Sequence, residues 1–143
     1  MLFRSEAISR GAAHVWFTEK APPALAAIRA NLKALRIAQG FAIEERGTGA
    51  LLERLAKSAE AGRPGESLDV IYLDPPWEAD AEYEKTLEFL GGTRGPAILA
   101  PAALVVAEHS SKSPLAERYG DLVQTRTRKQ GDAALSFYAV APE

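Results

Sequence analysis

Leu68-Asp69-Val70-Ile71-Tyr72-Leu73-Asp74-Pro75-Pro76-Trp77 decides the fold of this chain. Its first six residues are β-branched, aromatic or aliphatic apart from one acid, the make-up of a buried strand. Proline fixes φ and restricts the residue before it, so Asp74-Pro75-Pro76 ends that strand in a stiff, extended turn. Outward from it, short apolar runs alternate with helical periodicity. Upstream, His14–Thr18 and Phe41–Glu44 read as strands. Pro22 and Pro23 open a helix, where a missing amide hydrogen is harmless. Leu25, Ile28, Leu32 and Leu35 then recur at three- and four-residue steps through about Ala38. A second helical stretch, Gly49–Ala59, turns Leu51, Leu52 and Leu55 inward. Downstream, a helix over about Ala81–Leu90 and a Gly/Pro-rich connection lead to a strand at Leu104–Glu108. Leu122–Arg128 and Ala134–Val140, joined near Gly131-Asp132, can pair only as an antiparallel hairpin. Strands alternating with helices imply βαβ units and a parallel sheet covered on both faces. The expected fold is α/β, an open and mostly parallel sheet with a C-terminal antiparallel hairpin, in one domain over 1–143.

Composition narrows the classes. The chain has 143 residues, 47% hydrophobic and 25% charged, which is room for one ordinary globular core. It has no cysteine, so neither a disulfide framework nor a thiolate metal site can form. No apolar run approaches the about 20 residues that span a bilayer. The first ten residues lack the apolar core of a signal peptide. A cytoplasmic location, with no membrane contact, is expected by elimination. Seventeen basic residues against nineteen acidic give a net charge of −2, so no global field draws in nucleic acid. Any such contact must come from a local basic patch.

Open α/β sheets bind ligands outside the carboxyl ends of their strands. Those ends carry Glu19, Gly47-Thr48-Gly49, Asp74–Trp77 and Glu108-His109. A carboxylate at Glu19 can accept from both hydroxyls of a ribose, or it can cap the helix that follows. The rigid turn lets the Asp74 carboxylate and the Pro75 carbonyl face one point, two fixed acceptors suited to an exocyclic amino group. Trp77 offers a flat surface for stacking a base; the alternative is a turn with a tryptophan packed behind it. His14 and His109 lie on different elements without metal-ligand spacing, so a metal site is not expected, and both are taken as structural or solvent-facing. Arg126, Arg128 and Lys129 cluster on the hairpin, with Lys112 and Arg94 on the same expected rim. They can hold phosphate, or they can solvate an edge strand and deter edge pairing.

In order along the chain, EAISRGAAHVWFTEK, APPALAAIRANLKAL, DVIYLDPPW, LVVAEHSSK and RKQGDAALSFYAV resemble the RsmD-type family of 16S ribosomal RNA guanine-N2 methyltransferases. The resemblance implies a Rossmann-like methyltransferase fold and S-adenosyl-L-methionine as cofactor. It implies Glu19, with Lys20, Thr48 and Gly49, as cofactor-binding residues. Asp74, Pro75, Pro76 and Trp77 would be the catalytic, target-nucleotide motif, and Lys112, Arg126, Arg128 and Lys129 RNA-binding residues. The implied partner is 16S rRNA or the small ribosomal subunit, met by a monomer. Where the family often has an acid after its third strand, this chain has Gly47-Thr48-Gly49-Ala50. Ser5–Gly11 reads as the last turns of a helix closed by glycine, with almost nothing before it. The family's first strand and glycine-rich loop, expected just before Glu6, are not in the sequence. The expectation is a truncated copy that binds the cofactor poorly. The rival functions are an adenine-N6 or other amino-group methyltransferase on DNA or RNA, and a non-catalytic fragment.

Overall fold

A computed structural model describes residues 14–62, 67–74 and 80–142. They fall into two compact units, Met1–Arg54 and Leu55–Glu143. The Ser5–Gly11 helix end and Pro75, Pro76 and Trp77 lie outside the described residues.

In the first unit, β1 (Val15–Thr18) and β2 (Phe41–Glu44) pair in parallel, with Val15 opposite Phe41 and Thr18 opposite Glu44. Between them runs α1 (Pro22–Ala34), which opens on its two prolines as expected. Alternation along β1 sends Phe17 to one face, where it packs with Ile28 and Leu32 of α1, flanked by Val15, Ile37, Phe41 and Ile43. The helix ends four residues earlier than the periodicity suggests. Leu35 leaves the helix with ψ near 0°, and Arg36 takes the left-handed conformation at φ 57°. Leu35 is consequently 55% exposed and not on the apolar face. The amide of Ile37 still reaches the Leu32 carbonyl at 2.9 Å, closing the end. Helix α2 (Thr48–Glu60) follows β2, and the boundary between the units falls within it.

The second unit is a five-stranded mixed sheet in the order β3-β4-β7-β6-β5. β3 (Leu68–Leu73) and β4 (Leu99–Ser110) are parallel, joined through α3 (Asp80–Gly91) and a short 3-10 turn at Gly95–Ala97. β4 pairs antiparallel with β7 (Ala133–Val140), and β7 with β6 (Leu122–Gln130). The hairpin is as expected, with Gln130 opposite Ala133 across Gly131-Asp132. Gly131 has φ 62°, the positive value required at the first position of a two-residue hairpin turn.

Two features differ from the expectation. β4 starts at Leu99, and its register against β3 shifts between Leu68 and Val70 as the segment with Pro101 bulges. Proline has no amide to give the ladder, so apolar periodicity there cannot show a strand. A further strand, β5 (Arg118–Tyr119), pairs antiparallel with β6, giving two parallel and three antiparallel strand pairs in the described sheets. The core of this unit lies between α3 and one sheet face, where Tyr83, Leu87, Leu90, Val105, Ala107, Leu122 and Tyr138 are buried.

Candidate functional site

The carboxyl ends of β1 and β2 are built around charge. Glu44 closes β2 and is only 6% exposed. Arg46 clasps it as a fork, with Nε 3.2 Å from Oε2 and Nη2 3.3 Å from Oε1, while its backbone amide donates to Oε2 at 3.2 Å. Arg54 of α2 donates from Nη2 to Oε1 at 2.9 Å and lies over the Trp16 ring, 5.2 Å from its centroid. The hydrogen bond from the Arg46 side chain, with smaller contributions from its amide and from Arg54, outweighs burial and holds the Glu44 carboxyl down at about 2.

Around that hub stand the four expected cofactor residues. The Glu19 amide donates to the Glu44 carbonyl at 3.1 Å, and the Glu19 carboxylate accepts from the Ala21 amide at 3.2 Å. Ala21 is the N-cap of α1, so Glu19 does cap the helix, through one of its two oxygens. Thr18 and Thr48 share a hydroxyl hydrogen bond of 2.7 Å, tying the end of β1 to the start of α2. The Lys20 stem lies over Gly47, whose φ of 96° turns the chain into α2. Gly49 is exposed, with open space where a Cβ would stand. Glu19, Lys20, Thr48 and Gly49 therefore come together at one strand edge. Glu44, Arg46 and Arg54 were missed by sequence reasoning. The signal was there: Phe41-Ala42-Ile43-Glu44 puts an acid at the last register of a strand, with an arginine two residues on.

In the second unit, Asp74 directly follows β3 and is exposed. The register sets Leu73 opposite Ala107, so Asp74 stands level with Glu108 of β4, Leu135 of β7 and Arg128 of β6. At this edge, loop 110–113 is fixed from beneath by His109. Its Nδ1 lies 2.9 Å from the Ser110 carbonyl and 3.1 Å from that of Ser113. Carbonyls only accept, so Nδ1 carries a proton and donates to them, while Nε2 shares a 2.7 Å hydrogen bond with Ser136 Oγ. Gln124 Nε2 donates to the same Ser136 oxygen at 3.2 Å. His109 is thus a buried structural residue, as expected, and no nucleophile. The Ser111 amide donates to the Asp132 carbonyl at 2.8 Å, clipping the loop that carries Lys112 onto the hairpin turn.

The basic cluster is not one cluster. Residues directly opposite on paired strands share a face, and successive residues alternate. Arg126 lies opposite Phe137 and Arg128 opposite Leu135, whereas Lys129 lies opposite Ala134 on the other face. Arg126 places its guanidinium 4.6 Å from the Phe137 ring centroid. Arg94 bonds Glu60 from Nε at 2.7 Å and lies over the Phe89 ring, 5.5 Å from its centroid. Among the described residues no group of His, Cys, Asp and Glu could hold a metal ion, and no helix is long and apolar enough to cross a membrane.

Similar proteins place this chain. The model of the family described as "Conserved hypothetical protein 95" matches residues 3–139. "Putative rRNA methyltransferase YlbH" of Bacillus subtilis is 30% identical over 133 residues, covering 93% of this chain and 67% of its own length. Among solved structures, "Putative methyltransferase yhhF from Escherichia coli" matches with TM-score 0.72 and 22% identity, over 96% of this chain and 70% of that one. "SMU.776, a putative methyltransferase complexed with SAH" matches with TM-score 0.67 and 14% identity, over 96% of this chain and 42% of its own. The last two likenesses show the fold alone, a Rossmann-like α/β architecture. On the family match and the Bacillus relative, the chain belongs to the conserved hypothetical protein 95 family, the RsmD-type family that its motifs resemble.

Proposed function

We propose that this protein is an S-adenosyl-L-methionine-dependent methyltransferase acting on the exocyclic N2 of a guanine in 16S rRNA, free or within the small ribosomal subunit. The observation that carries the reading is Asp-Pro-Pro-Trp starting at the carboxyl end of β3, where open α/β sheets take their ligands. It is supported by a relative whose name includes rRNA methyltransferase.

The strand edge of the first unit fits the adenosine end of the cofactor. Glu19 keeps a carboxylate oxygen beyond the one that caps α1, suited to ribose hydroxyls. Gly49 leaves open space beside Thr48, and Lys20 lies over Gly47, two residues before it. The cofactor supplies a methyl group on a sulfonium, a strong electrophile. The guanine amino lone pair is delocalised into the ring and is a poor nucleophile, so the protein's task is positioning. The Asp74 carboxylate and the Pro75 carbonyl accept the two amino hydrogens and aim the nitrogen, while Trp77 stacks the base. No strong base is needed, since the methylated nitrogen is acidic and sheds its proton readily. A paired guanine would first be flipped out of its helix.

The test is methyl transfer from radiolabelled cofactor, at saturating concentration, to unmodified 16S rRNA and to small subunits, followed by digestion to nucleosides. Label in N2-methylguanosine, lost in Asp74→Asn, is expected. Label in N6-methyladenosine, or in DNA alone, would replace guanine N2 with another amino group. No label in any substrate would overturn the reading.

A further inference from the structure

We propose that the Tyr83 hydroxyl positions Asp74 for methyl transfer, by fastening the start of α3 to the end of β4. The proposal rests on the methyltransferase reading above and adds a residue that acts on the motif from behind, without touching the substrate.

The sequence leaves the ladder between β3 and β4 one donor short where the motif begins. In an antiparallel pair, every second residue turns both its amide and its carbonyl toward the partner strand. The Ser111 amide donates to the carbonyl of Asp132, the residue opposite it beyond the Ser110–Ala133 pair. By alternation, His109 and Ala107 turn their backbone groups to β7, and Glu108 and Val106 turn theirs to β3. Leu73 lies opposite Ala107 in a parallel pair, and parallel bonds slant by one residue. Between β1 and β2 the same slant takes the Glu19 amide to the carbonyl of Glu44, which stands opposite Thr18. The Glu108 carbonyl would therefore take its bond from residue 75. That residue is a proline, with no amide hydrogen to give.

Tyr83 supplies the missing donor. It is 2% exposed, and its hydroxyl donates to the Glu108 carbonyl. A backbone acceptor left without a donor away from water is costly, so this bond ties the helix to the strand at a defined point. The ring is seated edge-on against His109, with centroids 6.4 Å apart, and His109 is in turn held by Ser136. Tyr72 of β3 donates its own hydroxyl to Glu108 Oε2 at 3.1 Å. Glu108 thus receives one tyrosine from before Asp74 and one from after it.

The tie bears on chemistry because positioning is what the reaction asks of this protein. Asp74 is fixed on its amino side by the pairing of Leu73 with Ala107. On its carboxyl side the chain leads to α3, which begins at Asp80 and carries Tyr83 in its first turn. The Tyr83 hydroxyl is therefore the anchor at the far end of the segment that starts with Asp74. A phenylalanine would fill the same seat against His109 and leave the start of α3 free to shift along β4. A misplacement of about 1 Å can cost on the order of a hundredfold in rate. Tyr83 meets neither substrate nor cofactor in this scheme, so its loss should fall on kcat and spare KM.

The experiment compares Tyr83→Phe with Tyr138→Phe in methyl transfer to unmodified 16S rRNA, at a temperature well below the melting point of every variant. Tyr138 is the matched control. It is fully buried, and its hydroxyl donates to the Ala116 carbonyl at 2.6 Å, ahead of β5 and not at the end of β3. Tyr83→Phe is expected to lower kcat by roughly tenfold or more through misplacement of the motif, with the KM values for S-adenosylmethionine and for RNA nearly unchanged. Tyr138→Phe should lower the melting temperature by a similar amount and leave kcat nearly unchanged. An equal loss of kcat in the two variants, a loss confined to KM, or full kcat in Tyr83→Phe would each overturn the positioning role and leave the functional reading standing. Failure of the unaltered protein to methylate any substrate would remove the reading and the proposal together.

Discussion

The strand ends of the first unit and the hairpin edge of the second both gather charged side chains, and they use them in opposite ways. Around Glu44 the charges are built into the protein, with two guanidiniums converging on one buried carboxylate. On the hairpin, Arg118, Arg126 and Arg128 stand on an exposed face without carboxylate partners among the described residues. Burial explains the contrast. A carboxylate at 6% exposure without partners is costly, so its site must bring cations to it. An exposed arginine is hydrated and gains little from a surface ion pair, so it is available to a ligand. Charge that is buried holds the protein together, and charge that is exposed stays open to a ligand.

The largest effect expected at the second unit's edge is chemical. Asp74→Asn should lower single-turnover methyl transfer to 16S rRNA by ten- to a hundredfold or more, since a hydrogen bond to a charged acceptor contributes about 1.5–3 kcal/mol and misorientation adds to that. RNA affinity should stay within a few-fold. Trp77→Ala should instead weaken RNA binding by about 1–3 kcal/mol through lost stacking, with Trp77→Phe largely sparing it. If Asp74→Asn turns over normally, the edge of β3 is not where the chemistry happens.

Periodicity and turn chemistry made most of the fold legible. Leu25, Ile28 and Leu32, the run Leu68–Leu73 and the hairpin around Gly131-Asp132 all stand where the sequence puts them. β5 was not expected, although the same dipeptide marks its turn: Gly120-Asp121 joins Tyr119 to Leu122 as Gly131-Asp132 joins Gln130 to Ala133. Its two residues are too few for alternation to register. The site was legible where chemistry is local. Glu19, Lys20, Thr48 and Gly49 follow consecutive strand ends and must share an edge. The pairing of Glu44 with Arg54, ten residues on, depends on how α2 returns over Trp16. The division of Arg126 and Arg128 from Lys129 depends on the register of β6 with β7, because neighbours in sequence alternate in space.

Next in size come the interiors of the two regions. Ser136→Ala leaves His109 Nε2 and the Gln124 amide without their shared partner and should cost about 1–3 kcal/mol in denaturant unfolding. Glu44→Gln should cost a similar amount at neutral pH, about 1–3 kcal/mol, by releasing both guanidiniums. The pH dependence separates the two variants. The Glu44 carboxyl falls from its ordinary 4.5 to about 2 in the folded protein, so its contribution is complete above about pH 5 and is lost as pH falls toward 2. The stability gap between Glu44→Gln and the unaltered protein should therefore narrow over that acid window. The Ser136→Ala gap should stay constant there. A Glu44→Gln gap that does not change with pH would mean the hub contributes packing and not charge.

The smallest effect tests the first unit's edge with two glycines, two residues apart, whose alanine substitutions should have opposite signs. Gly47 has φ 96°, a conformation alanine adopts with strain, and a Cβ there would stand 2.5 Å from the Lys20 Cε. The lysine stem can move aside, whereas the backbone cannot relax without shifting the start of α2. Gly47→Ala should therefore destabilise by about 1–2 kcal/mol. Gly49 lies in the first turn of α2 with nothing within 4 Å of its would-be Cβ. Alanine there narrows the unfolded ensemble and strains nothing, so it should stabilise by about 0.4–1 kcal/mol. If that open space receives the adenosine of the cofactor, the methyl group that raises the melting temperature should also raise the KM for S-adenosylmethionine, leaving RNA binding unchanged. A Gly49→Ala protein with unaltered cofactor KM would move the adenosine elsewhere on the edge and leave Glu19 to be tested alone.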